Sequence, residues 1–301
     1  MEPKYSFVSA DNANVVRVIA SSEEDTDDDL INHFAVLKYD RSSRQWDKFD
    51  LPWDACSIVT RRSPASEVLV LNPEGLVGRG YGGFREENVV PVSAKGPEEF
   101  GVLREIRIVA DRILSVGMSR QVYADVGGNS WSVLHTPAMT ARQSLMQVTG
   151  FNSIHGLSMQ RLIAVGMGGE IWSYAQQIWR QADSPTNLAL HRVLVLSEDH
   201  AIAVGQAGLV LVLERDTWRE AFVVEDGADV WGLCQFNDKI YVATQNAVYV
   251  ANSSLSAVSD VTIKGADSFG YLDAADGVLW SSGSDDIAFS VDGKKWQVIT
   301  P

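Results

Sequence analysis

The chain has 301 residues, of which 25 are Lys or Arg and 39 are Asp or Glu, so its formal net charge is −14. This acidic balance argues against a nucleic-acid partner held by phosphate contacts, because such binding needs clustered positive charge. Hydrophobic residues at 46% and charged residues at 21% are typical of a globular protein and exclude a disordered one.

The N-terminus and the cysteines bear on the compartment. Met1–Tyr5 and the residues after it lack the charged start and apolar stretch of a signal peptide. No window approaches 18 consecutive apolar residues, which argues against a membrane-spanning helix. Cys56 and Cys234 are too few for a disulfide-stapled secreted domain, and their spacing matches no metal motif. We therefore expect reduced thiols and a cytoplasmic protein.

Short apolar segments with similar endings recur along the chain. In chain order they are Val15–Ser21, Val68–Asn72, Ile113–Gly117, Leu162–Gly166, Ala201–Gly205, Ile240–Thr244 and Val278–Gly283. The last four end at intervals of 39 residues, and the preceding step is the same unit with about ten residues added. An aromatic residue follows most segments 12 to 14 positions later, namely Phe84, Trp131, Trp179, Trp218 and Trp296. A fixed period of this length indicates structural repeats.

The unit at residues 191–224 shows the repeat most clearly. Four short aliphatic and β-branched runs are separated by turns at Glu198–His200, Gln206–Gly208 and Glu214–Asp216, which predicts four strands. Seven such units are typical of an all-β fold, the seven-bladed β-propeller with four antiparallel strands per blade. We expect a single domain over 1–301, with approximate blades 1–52, 53–95, 96–140, 141–186, 187–226, 227–264 and 265–301.

One turn carries a recognisable motif. Ser290, Asp292, Gly293 and Trp296 form the pattern S-x-D-G-x-x-W, and Ala124–Trp131 is a weaker copy. The pattern resembles the Asp-box of bacterial neuraminidase repeats and of photosystem assembly factor type propellers, and the chain is WD-repeat-like in its spacing. In such a turn the aspartate accepts hydrogen bonds from backbone amides, the glycine takes a positive φ, and the tryptophan packs between sheets. The resemblance implies a structural turn, since the arginine cluster and tyrosine nucleophile of neuraminidases have no matching residues here.

Three segments exceed the repeat length. Ser22–Ile31 falls between the second and third strands of blade one, Pro91–Gly101 between blades two and three, and Ala138–Asn152 between blades three and four. In a propeller, connections of these two kinds lie on one face. Insertions on one face often mark a binding surface, although neutral drift in loops produces the same pattern.

The first insert is strongly acidic. It contains six carboxylates, those of Glu23, Glu24, Asp25, Asp27, Asp28 and Asp29. These charges favour the approach of a basic partner, while the alternative is an ordinary solvated loop. The alternating aspartates resemble part of a calcium loop, but the glycine and distal glutamate of an EF-hand are absent. We therefore predict neither a metal site nor a cofactor.

A second candidate surface is the channel mouth, which residues near the start of each first strand should line. Counting back from the anchors gives Arg104, His191 or Arg192, Trp231, and Phe269 or Tyr271, and His155 is a further candidate beside them. Aromatic and guanidinium groups around a concavity can hold a carboxylate, a sugar or a partner side chain. Ordinary packing is the alternative interpretation.

The sequence contains no convergent catalytic motif. The five histidines lack metal-ligand spacing, and there is neither a G-x-S-x-G elbow nor a phosphate-binding glycine loop. The leading hypothesis is a non-catalytic propeller that binds a protein with a basic surface, in one version an immunity or antitoxin protein that caps a basic bacterial toxin. The alternatives are a glycan-binding or glycoside-hydrolysing propeller, which would show paired carboxylates across a pocket, and an assembly scaffold. The sequence leaves the oligomeric state open.

Overall fold

A computed structural model describes residues 3–25, 30–63, 66–80, 84–92, 94–127, 130–134, 149–256 and 258–301, with residues 24, 25 and 30–32 described in their backbone alone. Within these ranges the chain forms seven four-stranded antiparallel sheets. The strands of each sheet follow one another in sequence order. The architecture is therefore the predicted seven-bladed β-propeller.

The first four blades extend from Lys4 to Gln181. Blade one consists of β1 (Lys4–Ala10), β2 (Val15–Asp25), β3 (Leu30–Asp40) and β4 (Gln45–Leu51), and blade two of β5 (Ser57–Arg61), β6 (Glu67–Leu71), β7 (Leu76–Gly80) and β8 (Phe84–Asn88). A short helix, α1 (Pro97–Phe100), precedes blade three, which consists of β9 (Leu103–Val109), β10 (Arg112–Gly117), β11 (Val122–Gly127) and β12 (Ser130–Val133). Blade four consists of β13 (Phe151–Ser158), β14 (Arg161–Gly166), β15 (Ile171–Ala175) and β16 (Ile178–Gln181).

Three blades complete the chain. Blade five consists of β17 (Leu190–Ser197), β18 (His200–Gly205), β19 (Leu209–Glu214) and β20 (Thr217–Val223). Blade six consists of β21 (Gly232–Phe236), β22 (Lys239–Ala243), β23 (Val248–Asn252) and β24 (Val258–Val261), and blade seven of β25 (Tyr271–Ala275), β26 (Val278–Ser282), β27 (Ile287–Ser290) and β28 (Trp296–Ile299). Two 3₁₀ turns, Met167–Gly169 and Gln206–Gly208, join the second and third strands of blades four and five.

The apolar segments that define the repeat are the second strands of the blades. Each lies between two neighbours of its sheet and is mostly buried, and all residues of Ala201–Gly205 are buried. Several hairpins close through two residues that both have positive φ, as type I′ turns require for the twist of the strands they join. These pairs are Ala110 with Asp111, Gln176 with Gln177, Asn237 with Asp238, and Asp276 with Gly277.

The chain packs as two compact units, residues 1–66 with 228–301, and residues 67–227. In the first unit the two ends of the chain meet, because blade seven lies beside blade one. The Tyr5 N–H donates to the Ser284 carbonyl at 2.8 Å, and the Ala10 N–H donates to Asp273 Oδ2 at 2.8 Å. Blade seven draws all four strands from the C-terminal end of the chain, and blade one draws all four from the N-terminal end.

The core of the second unit lies between consecutive sheets. One cluster of buried side chains joins blades three and four around Trp179, and another joins blades four and five around Trp218. The enlarged segment 91–101 contains α1 and links blades two and three. The segment 138–152 precedes β13, which takes its last two residues, while residues 138–148 lie outside the described ranges.

Candidate functional site

The acidic segment of blade one is part of a long hairpin. β2 and β3 pair in continuous register as far as the pair Asp25 and Leu30. The expectation of a loop over Ser22–Ile31 is therefore wrong for its two ends, which continue the strands. The physical reason is that cross-strand backbone hydrogen bonds extend the ladder of the blade into the insertion.

The six acidic residues of this hairpin are described to different extents. Glu23 is exposed and lies opposite Asn32. The backbones of Glu24 and Asp25 belong to β2. Asp27, Asp28 and Asp29 lie outside the described residues.

In the second unit, side chains of one inner strand bind the backbone of the next. Glu105 Oε2 on β9 accepts a hydrogen bond from the Ile154 N–H on β13 at 2.8 Å. His155 Nδ1 on β13 accepts one from the Val195 N–H on β17 at 3.0 Å. The first strand of each blade is an edge strand, whose outward N–H groups need acceptors. These side chains satisfy them and fix the spacing between neighbouring blades.

Glu105 is also the centre of a buried ion cluster. Its side chain is 1% exposed, and its Oε1 lies 3.3 Å from Arg107 Nη1 and in contact with Arg192 Nη1. Arg192 comes from β17, so its contact with β9 passes across the intervening β13. Removing one partner of a buried ion pair leaves an uncompensated charge and costs about 3–5 kcal/mol. Arg192 was predicted to contact a partner. Its side chain instead binds Glu105, and through Glu105 it links β17 with β9 and β13.

The His155 side chain is neutral in the folded protein. Burial, with a smaller contribution from the Arg107 cation, lowers the pKa of His155 from 6.5 to about 3. Because Nδ1 accepts the hydrogen bond from Val195, the proton of the neutral ring resides on Nε2. The structure therefore gives this histidine a role as a hydrogen-bond acceptor between blades.

The other predicted channel residues divide between the two units. In the second unit, Arg104 on β9 is exposed and His191 on β17 is partly buried. In the first unit, Trp231 directly precedes β21, and its backbone N–H donates to the Ala243 carbonyl at 2.9 Å. Tyr271 begins β25, and its ring centroid lies 4.4 Å from that of Phe7.

The Asp-box turn has the geometry that the motif predicts. Asp292 Oδ1 accepts hydrogen bonds from the backbone N–H groups of Lys294 at 2.8 Å and Lys295 at 2.7 Å. Gly293 has a φ of +71°, and its N–H donates to Ser290 Oγ at 2.9 Å. Trp296 packs against the core cluster that joins blades six and seven. Backbone hydrogen bonding lowers the pKa of the Asp292 carboxyl, which keeps it charged as an acceptor.

Sequence reasoning missed a buried charge network in blades two and three. The Arg79 side chain is 4% exposed and lies 2.8 Å from Asp125, 3.3 Å from Glu87 and 3.6 Å from Glu67. The indole N–H of Trp131 donates to Glu87 Oε1 at 2.9 Å. The available signal was an arginine in the middle of a short apolar strand, since such a charge is tolerated only when it is paired.

A second missed pair joins blades three and four. Arg120 donates two hydrogen bonds to Glu170, at 2.6 and 2.7 Å, and its guanidinium group lies 5.3 Å from the Trp172 ring centroid. The Trp172 indole N–H also donates to Glu170, at 3.2 Å. The planar, two-pronged geometry makes this a specific link between two turns.

The carboxylates that converge in the structure face arginines rather than an open pocket. Glu67, Glu87 and Asp125 surround Arg79, so they do not form the pair across a cleft that glycoside hydrolysis requires. Over the described ranges, no cluster of three His, Cys, Asp or Glu side chains could hold a metal ion. Both cysteines are free thiols, and no helix of the described residues is long and apolar enough to cross a membrane.

Seven blades of four antiparallel strands define the class of protein: this chain is a seven-bladed β-propeller, and its structural neighbours include WD40 and YCF48 propellers. The WD40 propeller of Doa1 superposes with a TM-score of 0.68 at 12% identity, covering 96% of this chain and 93% of that one. YCF48 from Cyanidioschyzon merolae gives a TM-score of 0.66 at 12% identity, with 96% and 95% covered. Both likenesses concern the fold alone.

A sequence relative identifies the family. The chain is 31% identical over 307 aligned positions to the Immune protein Tsi7 of Pseudomonas aeruginosa, covering 98% of this chain and 99% of that protein. The chain belongs to the family of this immune protein. No protein-family model matches the chain.

Proposed function

We propose that this propeller is a non-catalytic immunity protein, which protects its host by binding a toxin protein. The observation that carries the proposal is the full-length relationship to the Immune protein Tsi7. A second observation supports it. The carboxylates that lie close together in the structure, those of Glu67, Glu87 and Asp125, are buried and paired with Arg79, so they are not placed to act on a substrate. The glycan-active and scaffold alternatives have no comparable support.

The toxin partner, in this proposal, presents a basic surface. The chain carries a net charge of −14, and six of its acidic residues lie within residues 23–29. Glu23 is exposed at the start of this segment. Such a concentration of charge accelerates the encounter with a basic partner more than it changes the final affinity, and salt weakens the effect. The acidic hairpin is therefore the proposed first contact.

The proposal also assigns the other predicted surface residues. Because His155 and Arg192 are engaged inside the protein, the accessible candidates are Arg104 and His191 in the second unit, and Trp231 and Tyr271 in the first. We place the protein in the cytoplasm, where its two free thiols stay reduced. Cell fractionation of the native host tests that placement.

The test of function is a growth assay. The chain is produced together with the toxin candidate encoded beside its own gene, and we expect restored growth and a complex of defined stoichiometry. Toxicity that persists although both proteins are folded and produced together would contradict the proposal.

The test of the basic partner uses association rates. We expect Glu23→Gln, Glu24→Gln and Asp25→Asn together to slow binding about tenfold at low salt and little at high salt. The matched control neutralises three exposed acids elsewhere in the chain, Asp183→Asn, Glu220→Gln and Glu225→Gln, and should leave the rate near that of the wild type. Equal rates for both triple variants would overturn the role of the hairpin but not the immunity function.

A further inference from the structure

The tryptophan of the fourth strand makes the same kind of contact in two blades of the second unit. In blade three, Trp131 Nε1 donates to Glu87 Oε1 of blade two at 2.9 Å. In blade four, Trp179 Nε1 donates to the carbonyl of Leu134, directly after blade three, at 2.8 Å. In these two blades the buried indole N–H thus has an acceptor from the preceding blade, whereas the indole N–H of Trp296 in blade seven has none among the described residues.

Blade five breaks this pattern. Trp218 is the equivalent tryptophan and is 7% exposed, yet its Nε1 has no hydrogen-bond partner among the residues that the structure describes. The position equivalent to Leu134, three residues after the tryptophan of the preceding blade, is Ala182. The interface between blades four and five therefore has the methyl group of Ala182 at the position where the interface between blades three and four has the isobutyl group of Leu134.

The two positions are equivalent in backbone geometry as well as in spacing. The Ala182 N–H donates to the Ile171 carbonyl at 2.9 Å, and the Leu134 N–H donates to the Val122 carbonyl at 2.8 Å. In each case the acceptor opens the third strand of the blade. This backbone hydrogen bond is thus the same at both interfaces, while the side chains differ.

A cavity of about 120 Å³ occupies the space between blades four and five at this point. Its apolar wall includes Ile163, Ile171, Ala182, Leu213 and the Trp218 ring. Deleting buried carbon atoms leaves a void when the surroundings cannot collapse. Cavities of about 150 Å³ hold a molecule of the size of benzene, so this one suits an occupant of about that size.

The polar groups of the cavity are mainly donors. Arg161 contributes a buried Nε without a hydrogen-bond partner, while its Nη2 donates to the Glu198 carbonyl. Trp218 adds the unpaired indole N–H. Arg215 and Asp216 lie at the exposed edge, so the lining carries two guanidinium groups against one carboxylate.

We propose that this cavity binds a short-chain monocarboxylate. Its carboxylate accepts hydrogen bonds from Arg161 and Trp218, and its alkyl chain of three or four carbons fills the apolar part. An amine would add a positive charge to a site that already carries two guanidinium groups against one carboxylate, and a neutral amide would leave the guanidinium groups uncompensated. The inference rests on the cavity alone and is independent of the immunity function.

Sodium butyrate is the probe, with butylamine and butyramide as matched compounds of similar size. The readout is the indole ¹H–¹⁵N resonance of Trp218 in the full chain, assigned by its disappearance in Trp218→Phe. We expect butyrate to shift this resonance saturably and at least tenfold more tightly than either matched compound. An unshifted Trp218 resonance, or an equal response to butyramide, would overturn the proposal.

Variants separate a built site from surface binding. Ala182→Leu restores the side chain of the intact interface and should weaken butyrate binding at least tenfold, whereas Ala221→Leu makes the same change three residues after Trp218 and should leave it unchanged. Should Ala182→Leu fail to fold, Arg161→Gln decides the matter, with an expected loss of at least fivefold. Binding that persists unchanged in the folded Ala182→Leu or Arg161→Gln protein would show that butyrate binds elsewhere.

Discussion

At the scale of single residues, the polar side chains of the inner strands act as backbone acceptors. Glu105 and His155 each receive an N–H from the next inner strand, and Asp273 does the same for Ala10 in the first unit. An edge strand exposes these N–H groups, and a buried group without a partner costs about 1–3 kcal/mol. The need to pair these backbone N–H groups therefore explains the residues at these positions, and no binding function is required.

The neutral state of His155 predicts a pH dependence of stability. The folded protein keeps the ring neutral down to a pKa of about 3, whereas the unfolded chain takes up a proton near pH 6.5. Stability is thus complete above pH 6.5 and is lost as the pH falls towards 3, because the unfolded state binds the extra proton. Between pH 6.5 and 5 we expect a loss of about 1.5 kcal/mol from this group.

Urea unfolding of the wild type and of His155→Asn at these two pH values checks the prediction. Asparagine keeps an acceptor for the Val195 N–H but does not titrate. The variant should lose less stability than the wild type over this interval. A parallel pH dependence of the two proteins would contradict a neutral His155.

At the scale of elements, the hairpin and the Asp-box turn are the units that the sequence specifies locally. Asp292 and Ser290 organise their turn through contacts within five residues. Gly293 has a further, non-local constraint, because a Cβ at this position would collide with the hydroxyl group of Tyr241 in blade six. The turn therefore also sets the distance between blades six and seven.

Gly293→Ala is expected to be more destabilising than a positive φ alone explains. The matched control is Gly277→Ala in the same blade, since Gly277 has a φ of +77° and a Cβ at this position would meet no atom within 4 Å. The control should cost about 1 kcal/mol from backbone strain, and Gly293→Ala at least about 1 kcal/mol more from the displaced tyrosine. Thermal unfolding of both variants measures the difference, and equal costs would contradict the close contact with Tyr241.

At the scale of the whole molecule, the chain combines a repetitive fold with an uneven distribution of charge. Its seven blades share one strand plan, while its net charge of −14 includes six acids between residues 23 and 29. The fold alone does not determine function, because one fold hosts many unrelated functions. The family relationship over the full length is what connects this propeller with immunity.

We predict that residues 1–301 form a single domain and unfold as one. Repeat proteins gain stability from the interfaces between neighbouring repeats, so one cooperative transition is expected in scanning calorimetry. The ratio of calorimetric to van't Hoff enthalpy should be close to one. Two resolved transitions, assignable to residues 67–227 and to the rest of the chain, would contradict a single domain.

The sequence by itself determined the strands, their grouping into seven blades and the Asp-box turn. These features depend on hydrogen bonds and apolar alternation between residues close in the chain, which a 39-residue period repeats visibly. Only the tertiary structure decided the partners of Glu105, Arg79 and Trp179, because those contacts join residues of different blades. It also turned the acidic insert from an expected loop into an extended hairpin, and it located a cavity where alanine replaces leucine at a repeated interface.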